Sequence, residues 1–262
     1  MKSLPKISIV IPSYNKGEYI QETLESIVSQ RYPNLEVIIQ DGASTDETVG
    51  IVKGFAKKYP KIINWISKKD RGQVDAINRG LEKATGEIIT YINADDVYKR
   101  GALLIVGKYF QENPETFWIA GRGKVIDSEG KEISRIVTFY KNILLTINYY
   151  PLLLIVNYLM QPSVFVSRSA YEKNGVFSGI GGVVMEYDLW LKLGKTEMPK
   201  VLNDHISDFR LMASNISSTQ YMSVLRRDLE IAKKHTANQI LLFLHRLHNL
   251  GRVLTVRIAK LV

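Results

Sequence analysis

Four short runs of apolar, mostly β-branched residues in the first hundred positions restrict the possible folds more than any other feature. They lie at 7–12, 35–40, 62–66 and 88–92. Segments whose apolar residues recur at helical spacing separate these runs. Buried strands that alternate with helices are typical of a parallel sheet covered on both faces, so the pattern predicts a doubly wound α/β fold.

Polar loops follow the four predicted strands, at 13–17, 41–45, 69–72 and 93–96. Loops that leave the carboxyl ends of parallel strands open on one edge of the sheet, so we expect these four to converge on one ligand. The adjacent carboxylates of Asp95 and Asp96 repel each other and favour a nearby cation, such as a divalent metal that carries phosphates. An Asp-rich turn that caps the next helix is the alternative.

The composition limits the classes of protein. At 262 residues the chain suits one α/β domain with extensions better than two domains. Without cysteine it has no disulfide framework, thiolate zinc site or cysteine nucleophile. Residues 1–5 lead directly into a strand, so we expect no signal peptide and a cytoplasmic location. The net charge of +9 is concentrated at 226–262, where eight basic residues accompany two acids.

Three other classes of function can be weighed from the loops and the tail. No loop has the Gly-x-x-x-x-Gly-Lys or Gly-x-Gly-x-x-Gly pattern, which disfavours a kinase or a dehydrogenase. A nucleotidyltransferase would need a basic phosphate loop near the first strand, where only Lys16 is available. A catalytically decayed module could bind a membrane or nucleic acid through the basic tail. The sequence has no recognised nucleic-acid-binding motif, so we expect no nucleic-acid partner.

Seven strings between residues 6 and 212 carry the strongest functional signal, because they match one set of signatures in order and spacing. They are Ser8-Ile-Val-Ile-Pro-Ser-Tyr-Asn15, Gln40-Asp-Gly-Ala-Ser-Thr-Asp46, Asp70-Arg-Gly-Gln73, Asp75-Ala-Ile-Asn78 with Gly80, Tyr91-Ile-Asn-Ala-Asp-Asp96, Gln161-Pro-Ser-Val-Phe165 and Met185-Glu-Tyr-Asp-Leu-Trp-Leu191. Together they resemble the family-2 glycosyltransferases, inverting enzymes that use sugar nucleotides.

The resemblance implies a GT-A type α/β fold, with a doubly wound, mostly parallel sheet flanked by helices. We expect this glycosyltransferase domain at 1–215, with a nucleotide-binding half in 1–100 and an acceptor half in 101–215. A basic, amphipathic helical extension follows at 216–262. The implied reaction is inverting sugar transfer from a nucleoside-diphosphate sugar, most simply a UDP-sugar, to a hydroxyl of a glycan or lipid-linked acceptor. Polysaccharide or glycolipid biosynthesis is the implied setting.

The resemblance also assigns residues to the donor. The implied donor-binding residues are Pro12, Tyr14, Asp41, Asp70, Arg71 and Asp95. Asp96 matches the main ligand of a Mg²⁺ or Mn²⁺ ion that bridges the diphosphate, with Asp95 on the ribose or the metal. Tyr14 as a packing aromatic and Asp41 as a helix cap remain alternatives. Met212 stands where the family often has a histidine, which leaves the metal with fewer protein ligands or a water.

On the acceptor side, the resemblance points to Glu186 as the general base, with Asp188 as the next candidate. Glu186 could instead complement the dipole at the start of its helix. Gln161 and Trp190 are expected beside the acceptor. The glycine-containing loop at 177–182 is expected to close over a bound substrate.

Two apolar segments in the second half could contact a membrane. The segment 143–160 is strongly apolar, but Asn148, Pro151 and Asn157 interrupt it, which favours a helix pair beside the acceptor site. In the tail an apolar stripe is predicted opposite a polar face. The stripe comprises Ile240, Phe243, Leu244, Leu247, Leu250, Leu254, Ile258 and Leu261, and the opposite face His245, His248, Arg252 and Lys260.

Two interpretations of this tail helix are open. It could lie on an anionic membrane at the inner face of the cell membrane, because no acid follows Glu230. It could instead pack on its own body or on a second subunit of a homo-oligomer. We expect the three tail histidines to be solvated rather than metal ligands, since no paired spacing or carboxylate accompanies them.

Overall fold

The computed structural model describes residues 3–175, 177, 184–212 and 221–259, with side chains described from 222 to 254 in the last of these ranges. The glycine-containing loop that was expected to close over substrate falls almost wholly at 178–183, outside the described residues. The side chains of Ile258, Lys260 and Leu261, which were assigned to faces of the tail helix, also lie outside them.

The described strands and helices alternate through the first half of the chain, as predicted. The strands are β1 Ile7–Ser13, β2 Leu35–Asp41, β3 Ile63–Ser67, β4 Ile88–Tyr91, β5 Val97–Tyr98, β6 Trp118–Ile126, β7 Glu132–Ile133, β8 Val164–Ser167 and β9 Lys200–Arg210. The helices are α1 Ile20–Val28, α2 Thr48–Lys58, α3 Gln73–Lys83, α4 Ala102–Glu112, α5 Arg135–Ile147, α6 Tyr150–Ile155, α7 Arg168–Asn174, α8 Met185–Thr196, α9 Tyr221–His235 and α10 Gln239–Ala259.

One sheet runs through the molecule in the order β3-β2-β1-β4-β8-β6-β9-β5, with β7 paired to β6. The first four strands are parallel, as predicted from their apolar runs. The second half is mixed, because β8 is antiparallel to both β4 and β6, whereas β9 is parallel to β6. Side chains alternate along β1, so Ile9 packs with the core on one face and Val10 with the core on the other.

Pro12 lies inside β1 rather than ending it, contrary to the predicted strand boundary at this proline. The partner strand β4 is in register with β1 only as far as Val10. Proline lacks an N–H group and is tolerated where a neighbouring strand has ended. The strand therefore continues to Ser13, beside the carboxyl end of β2.

The apolar segment at 143–160 forms the end of α5 and the short helix α6, which confirms the predicted helix pair. Among the described residues, no helix combines the length and apolar character needed to cross a bilayer. The C-terminal helices share the core of the body, since Ile231 of α9 and Leu242 of α10 belong to the same apolar cluster as Tyr187 of α8.

The polar face of α10 packs inward, so the expectation of solvated tail histidines is wrong. His245 is buried, with Nδ1 2.8 Å from the Leu154 carbonyl oxygen and Nε2 3.1 Å from the Asp228 carboxylate. The ring of His248 stacks on Tyr140 of α5. His235, at the end of α9, lies 2.9 Å from the carboxylate of Asp188. Apart from Asp228, which lies on α9, these partners come from the body of the protein, and local spacing in the tail does not show them.

Candidate active site

The two adjacent aspartates lie just beyond the carboxyl end of β4, where a ligand of a parallel sheet is expected. Asp96 is fully buried, and its carboxylate accepts hydrogen bonds from Asn93 Nδ2 at 3.0 Å and from the Arg210 backbone N–H at 2.8 Å. Asp95 accepts a hydrogen bond from Lys16 Nζ at 2.6 Å. Lys16, the basic residue that a nucleotidyltransferase would need for phosphate, is therefore bound to the acidic pair.

The acidic pair fits a divalent cation in charge but supplies only part of its coordination. Burial, together with the charge of Asp95, raises the pKa of Asp96 well above its ordinary value. Its present partners therefore do not offset a second negative charge on the pair. A divalent cation would do so, and the hard carboxylate oxygens suit Mg²⁺ or Mn²⁺. No cluster of three or more metal-ligating side chains occurs within the part of the chain that the structure describes. The remaining ligands would have to be phosphate or water oxygens.

Arg210, at the end of β9, holds the acidic loop in place and was given no role from the sequence. Its buried guanidinium donates to the carbonyl oxygens of Asp95, Asp127 and Ser128 and pairs with Glu22. The string Phe209-Arg-Leu-Met212 drew attention only through its missing histidine. Its partners lie more than 80 positions away in the sequence, so no local signal identified this anchor.

A cleft at the ends of β2 and β3 contains two of the expected donor-binding residues, Asp41 and Asp70. A cavity of about 250 Å³ is lined by Gln40, Asp41, Ile66, Lys68, Asp70, Ala76, Arg79, Glu82 and Lys83. Buried Asp41 accepts hydrogen bonds from Ser67 Oγ at 2.6 Å and from the Ser44 backbone N–H at 2.9 Å. It therefore orders the loop on which the cleft is built. It does not cap a helix, because α2 begins only at Thr48, with Glu47 at the N-cap position.

Gly42 brings Tyr14 and Asp70 together at the mouth of this cleft. A Cβ atom at Gly42 would lie 2.9 Å from Asp70 Oδ2 and 3.3 Å from Tyr14 Cδ2, so the close approach requires glycine. The Tyr14 side chain is 60% exposed, which removes the alternative of a packing aromatic and leaves its ring available to a ligand.

Two of the expected donor residues are less well placed. The Arg71 side chain is 86% exposed and pairs with Asp75 at 3.0 Å, so it lies at the rim of the site. Pro12 is buried within β1 and shapes the floor of the sheet edge rather than presenting a polar group.

Glu186 lies in the first turn of α8, close to the buried side chain of Tyr91. Burial raises the pKa of Tyr91 well above its ordinary value, and the charges of Glu186 and Asp96 both add to that rise. Burial also raises the pKa of Glu186 itself to about 7, against opposing effects of its backbone N–H and of Lys141. Within the described residues no ion pair or side-chain hydrogen bond holds the Glu186 carboxylate.

Asp188, the alternative base, has a different environment. Its carboxylate lies 2.9 Å from His235 Nε2 and 2.7 Å from Lys192 Nζ. The hydrogen bonds from His235 and Lys192 hold the pKa of Asp188 well below its ordinary value. The geometry therefore favours Glu186 as the proton acceptor and gives Asp188 a structural role.

The two residues expected beside the acceptor lie inside the protein. Gln161 Nε2 donates to the carbonyl oxygen of Tyr91 at 2.7 Å, so it supports the end of β4. Trp190 is only 2% exposed and stacks on Trp118, with ring centroids 5.8 Å apart. The structure does not support a direct acceptor contact for Trp190, because its apolar ring is enclosed in the core.

The sequence model described as Glycosyl transferase family 2 matches residues 8–175, well over half of the chain. The chain belongs to glycosyl transferase family 2. This match confirms the family predicted from the seven strings, and it includes the donor-side loops and the acidic pair.

Curated relatives of this family-2 chain match it over part of their length. An uncharacterized glycosyltransferase of Nostoc sp. is 30% identical over 133 residues, which are 51% of this chain and 41% of the relative. An uncharacterized glycosyltransferase of Rickettsia bellii is 26% identical over 216 residues, 80% of this chain and 29% of the relative. The chain thus spans less than half the length of these two relatives.

Solved structures confirm the GT-A fold of this family-2 chain. Staphylococcus aureus TarS 1–349 in complex with UDP-GlcNAc has a TM-score of 0.62 at 19% identity, covering 86% of this chain and 66% of that one. The mannosyltransferase PcManGT of Pyrobaculum calidifontis, in complex with GDP-Man and Mn²⁺, has a TM-score of 0.69 at 19% identity, covering 98% and 81%.

Proposed function

We propose that this chain transfers a sugar from a nucleoside-diphosphate sugar to an acceptor hydroxyl with inversion at the anomeric carbon. The observation that carries this proposal is that Glu186, whose pKa is raised to about 7, and buried Asp96 of the acidic pair both lie within electrostatic reach of one side chain, Tyr91. Inverting transfer needs such a division, with a base for the acceptor and a separate site for the leaving diphosphate.

The donor occupies the cleft between Tyr14, Asp41 and Asp70. The exposed ring of Tyr14 can stack on a base, while Asp70 offers a carboxylate at the mouth of the cleft. A UDP-sugar is the favoured donor; the complexes of TarS with UDP-GlcNAc and of PcManGT with GDP-Man support a nucleotide sugar in general.

Glu186 performs the acid–base part of the reaction. Its carboxylate takes the proton of the acceptor hydroxyl as the oxygen attacks the anomeric carbon, and the bond between that carbon and the diphosphate oxygen breaks with its electron pair on the diphosphate. Asp96 and Asp95 would hold a Mg²⁺ or Mn²⁺ ion, which supplies positive charge to the leaving group. Lys16 holds Asp95 in position for this role.

The acceptor is a hydroxyl of a glycan or lipid-linked saccharide, and the setting is polysaccharide or glycolipid synthesis in the cytoplasm. These statements are part of the proposal. Their support is the family of the chain.

A screen of nucleotide sugars tests the proposal. Hydrolysis and binding are measured over UDP-, GDP- and other nucleotide sugars with Mn²⁺, with Mg²⁺ and with chelator. We expect one donor to bind and to be hydrolysed slowly with a divalent cation present. Absence of binding and hydrolysis for every donor under all three conditions would contradict the proposed function.

A further inference from the structure

The helices α5 and α10 meet at the stacked rings of Tyr140 and His248, whose centroids are 6.3 Å apart. Residues one turn from this contact, such as Ile136, Ile143 and Leu244, are exposed. The exposed apolar side chains of the two helices define what we call the α5–α10 surface. They are Ile136, Val137, Phe139, Tyr140, Ile143 and Ile147 of α5, with Ile240, Phe243, Leu244, Leu247, Leu250 and Leu254 of α10.

Helix α10 is oriented against the usual rule for a surface helix, which buries its apolar side. Apart from buried Leu242, its inward face is largely polar. Buried Asp228 holds this face by accepting hydrogen bonds from Asn249 Nδ2 at 2.9 Å and from Arg252 Nη1 at 3.1 Å. The apolar side is consequently left outward, with Phe243 60% exposed. Apolar patches of this extent on a protein surface mark sites of contact with another apolar phase.

The charges around the α5–α10 surface indicate what that phase is. The sequence has no Asp or Glu at 133–171 or at 231–262, whereas exposed arginines, Arg135 and Arg246, lie on the two helices. If a second copy of the chain docked through the same surface, the arginines of the two copies would face each other and repel. An anionic lipid surface instead offers acyl chains to the apolar side chains and opposite charge to the arginines.

We propose that the α5–α10 surface docks on an anionic lipid bilayer, with both helices lying in the interface. If the proposed function holds, this arrangement presents the acceptor from the membrane. Lys141 of α5 lies within electrostatic reach of Glu186, so the docked helix borders the base. The acceptor class is then a saccharide carried on a lipid.

Vesicle binding by the full chain tests this surface. Co-sedimentation is measured with phosphatidylcholine vesicles with and without phosphatidylglycerol, at low and high salt. We expect binding to the anionic vesicles that weakens at high salt. Phe139→Asp and Phe243→Asp should each reduce it by about 10-fold or more, because each removes an exposed aromatic ring that would enter the bilayer and adds a charge that the anionic lipid repels. Leu104→Asp, on the solvent-facing side of α4, is the matched control and should bind like the parent.

Each other outcome overturns the proposal. These outcomes are no binding by the parent, equal binding to neutral and anionic vesicles, parental binding by both phenylalanine variants, or a parental dimer in sedimentation equilibrium that Phe243→Asp dissociates. Unchanged thermal unfolding shows that a variant is folded. Donor hydrolysis without vesicles should be equal in all variants, so its absence in the parent counts against the proposed function and not against the surface.

Discussion

At the scale of single residues, two carboxyl groups that lie two positions apart on α8 have different surroundings. Glu186 has no described side-chain partner and its pKa rises to about 7, whereas Asp188 is paired with His235 and Lys192 and its pKa falls. A group with a pKa near the working pH is the better proton acceptor. Environment, rather than residue type, therefore assigns the roles, and either residue would have served as a sequence-based candidate.

The raised pKa of Glu186 predicts a cost in stability that depends on pH. Its pKa in the folded state is about 7, against an ordinary value of 4.5, so ionisation is disfavoured in the fold. Stability is unaffected below the lower value and falls as the pH rises through this window. We expect Glu186→Gln to raise the free energy of unfolding at pH 8 by at most about 3.5 kcal/mol, at about 1.4 kcal/mol per pKa unit.

Urea unfolding of parent and variant at pH 4 and pH 8 checks this expectation. The difference should appear at pH 8 and nearly vanish at pH 4, where both side chains are uncharged. A variant that is less stable than the parent at pH 8 would contradict the assignment of Glu186 as a buried carboxyl whose ionisation the fold disfavours.

Asp96→Asn tests the acidic pair. The amide keeps the size of the side chain and removes one of two adjacent charges, so a dication should lose a main ligand. We expect donor affinity in Mn²⁺ to fall by at least about 10-fold, the loss seen when even outer partners of a metal site are changed. Calorimetry with and without Mn²⁺ measures it. Parental affinity with the same metal dependence would show that Asp96 does not hold the ion.

At the scale of elements, the base-bearing helix α8 depends on the C-terminal helix α9. His235 of α9 contacts Asp188, one half-turn from Glu186, and both side chains are nearly buried. We expect His235→Gln to lower the free energy of unfolding by about 1 to 3 kcal/mol, as for a hydrogen bond to a charged group. It should also reduce turnover more than donor affinity, because it loosens α8 and leaves the cleft intact.

The matched control is Lys233→Gln on the same helix, whose surface pair with Glu230 should contribute little. Equal effects of the two substitutions on turnover would mean that the contact between His235 and Asp188 does not position the base.

At the scale of the whole molecule, the C-terminal helices are part of the folded body. Leu242 of α10 belongs to the apolar core around Tyr187, and buried His245 contacts α6. Deletion of 238–262 would therefore open the core and leave Asp228 without its contact to His245. We expect the truncated chain to lose several kcal/mol of stability, since an uncompensated buried charge alone costs about 3 to 5. Thermal unfolding and light scattering measure it. A truncated chain that unfolds at the parental temperature would contradict this packing.

The sequence predicted those features whose signal is local. Strands β1 to β4, their loops and the acidic pair follow from short runs such as that ending at Asp96, because a buried parallel strand is apolar throughout. The orientation of α10 was not predictable from its stripe. Which face of α10 packs on the body depends on Leu154 and Asp228, whose oxygens contact the two ring nitrogens of His245. The anchor Arg210 and the enclosed Trp190 depend on similar long-range contacts.

The dependence of turnover on pH in Glu186→Gln tests the central claim most directly. With the donor that the screen identifies and water as acceptor, turnover of the parent should rise with pH through about 7 as Glu186 ionises. The variant should bind the donor with parental affinity, lose about 10²- to 10⁴-fold in turnover and lack this rise. A variant with near-parental turnover, or with the same pH profile, would contradict the assignment of Glu186 as the base.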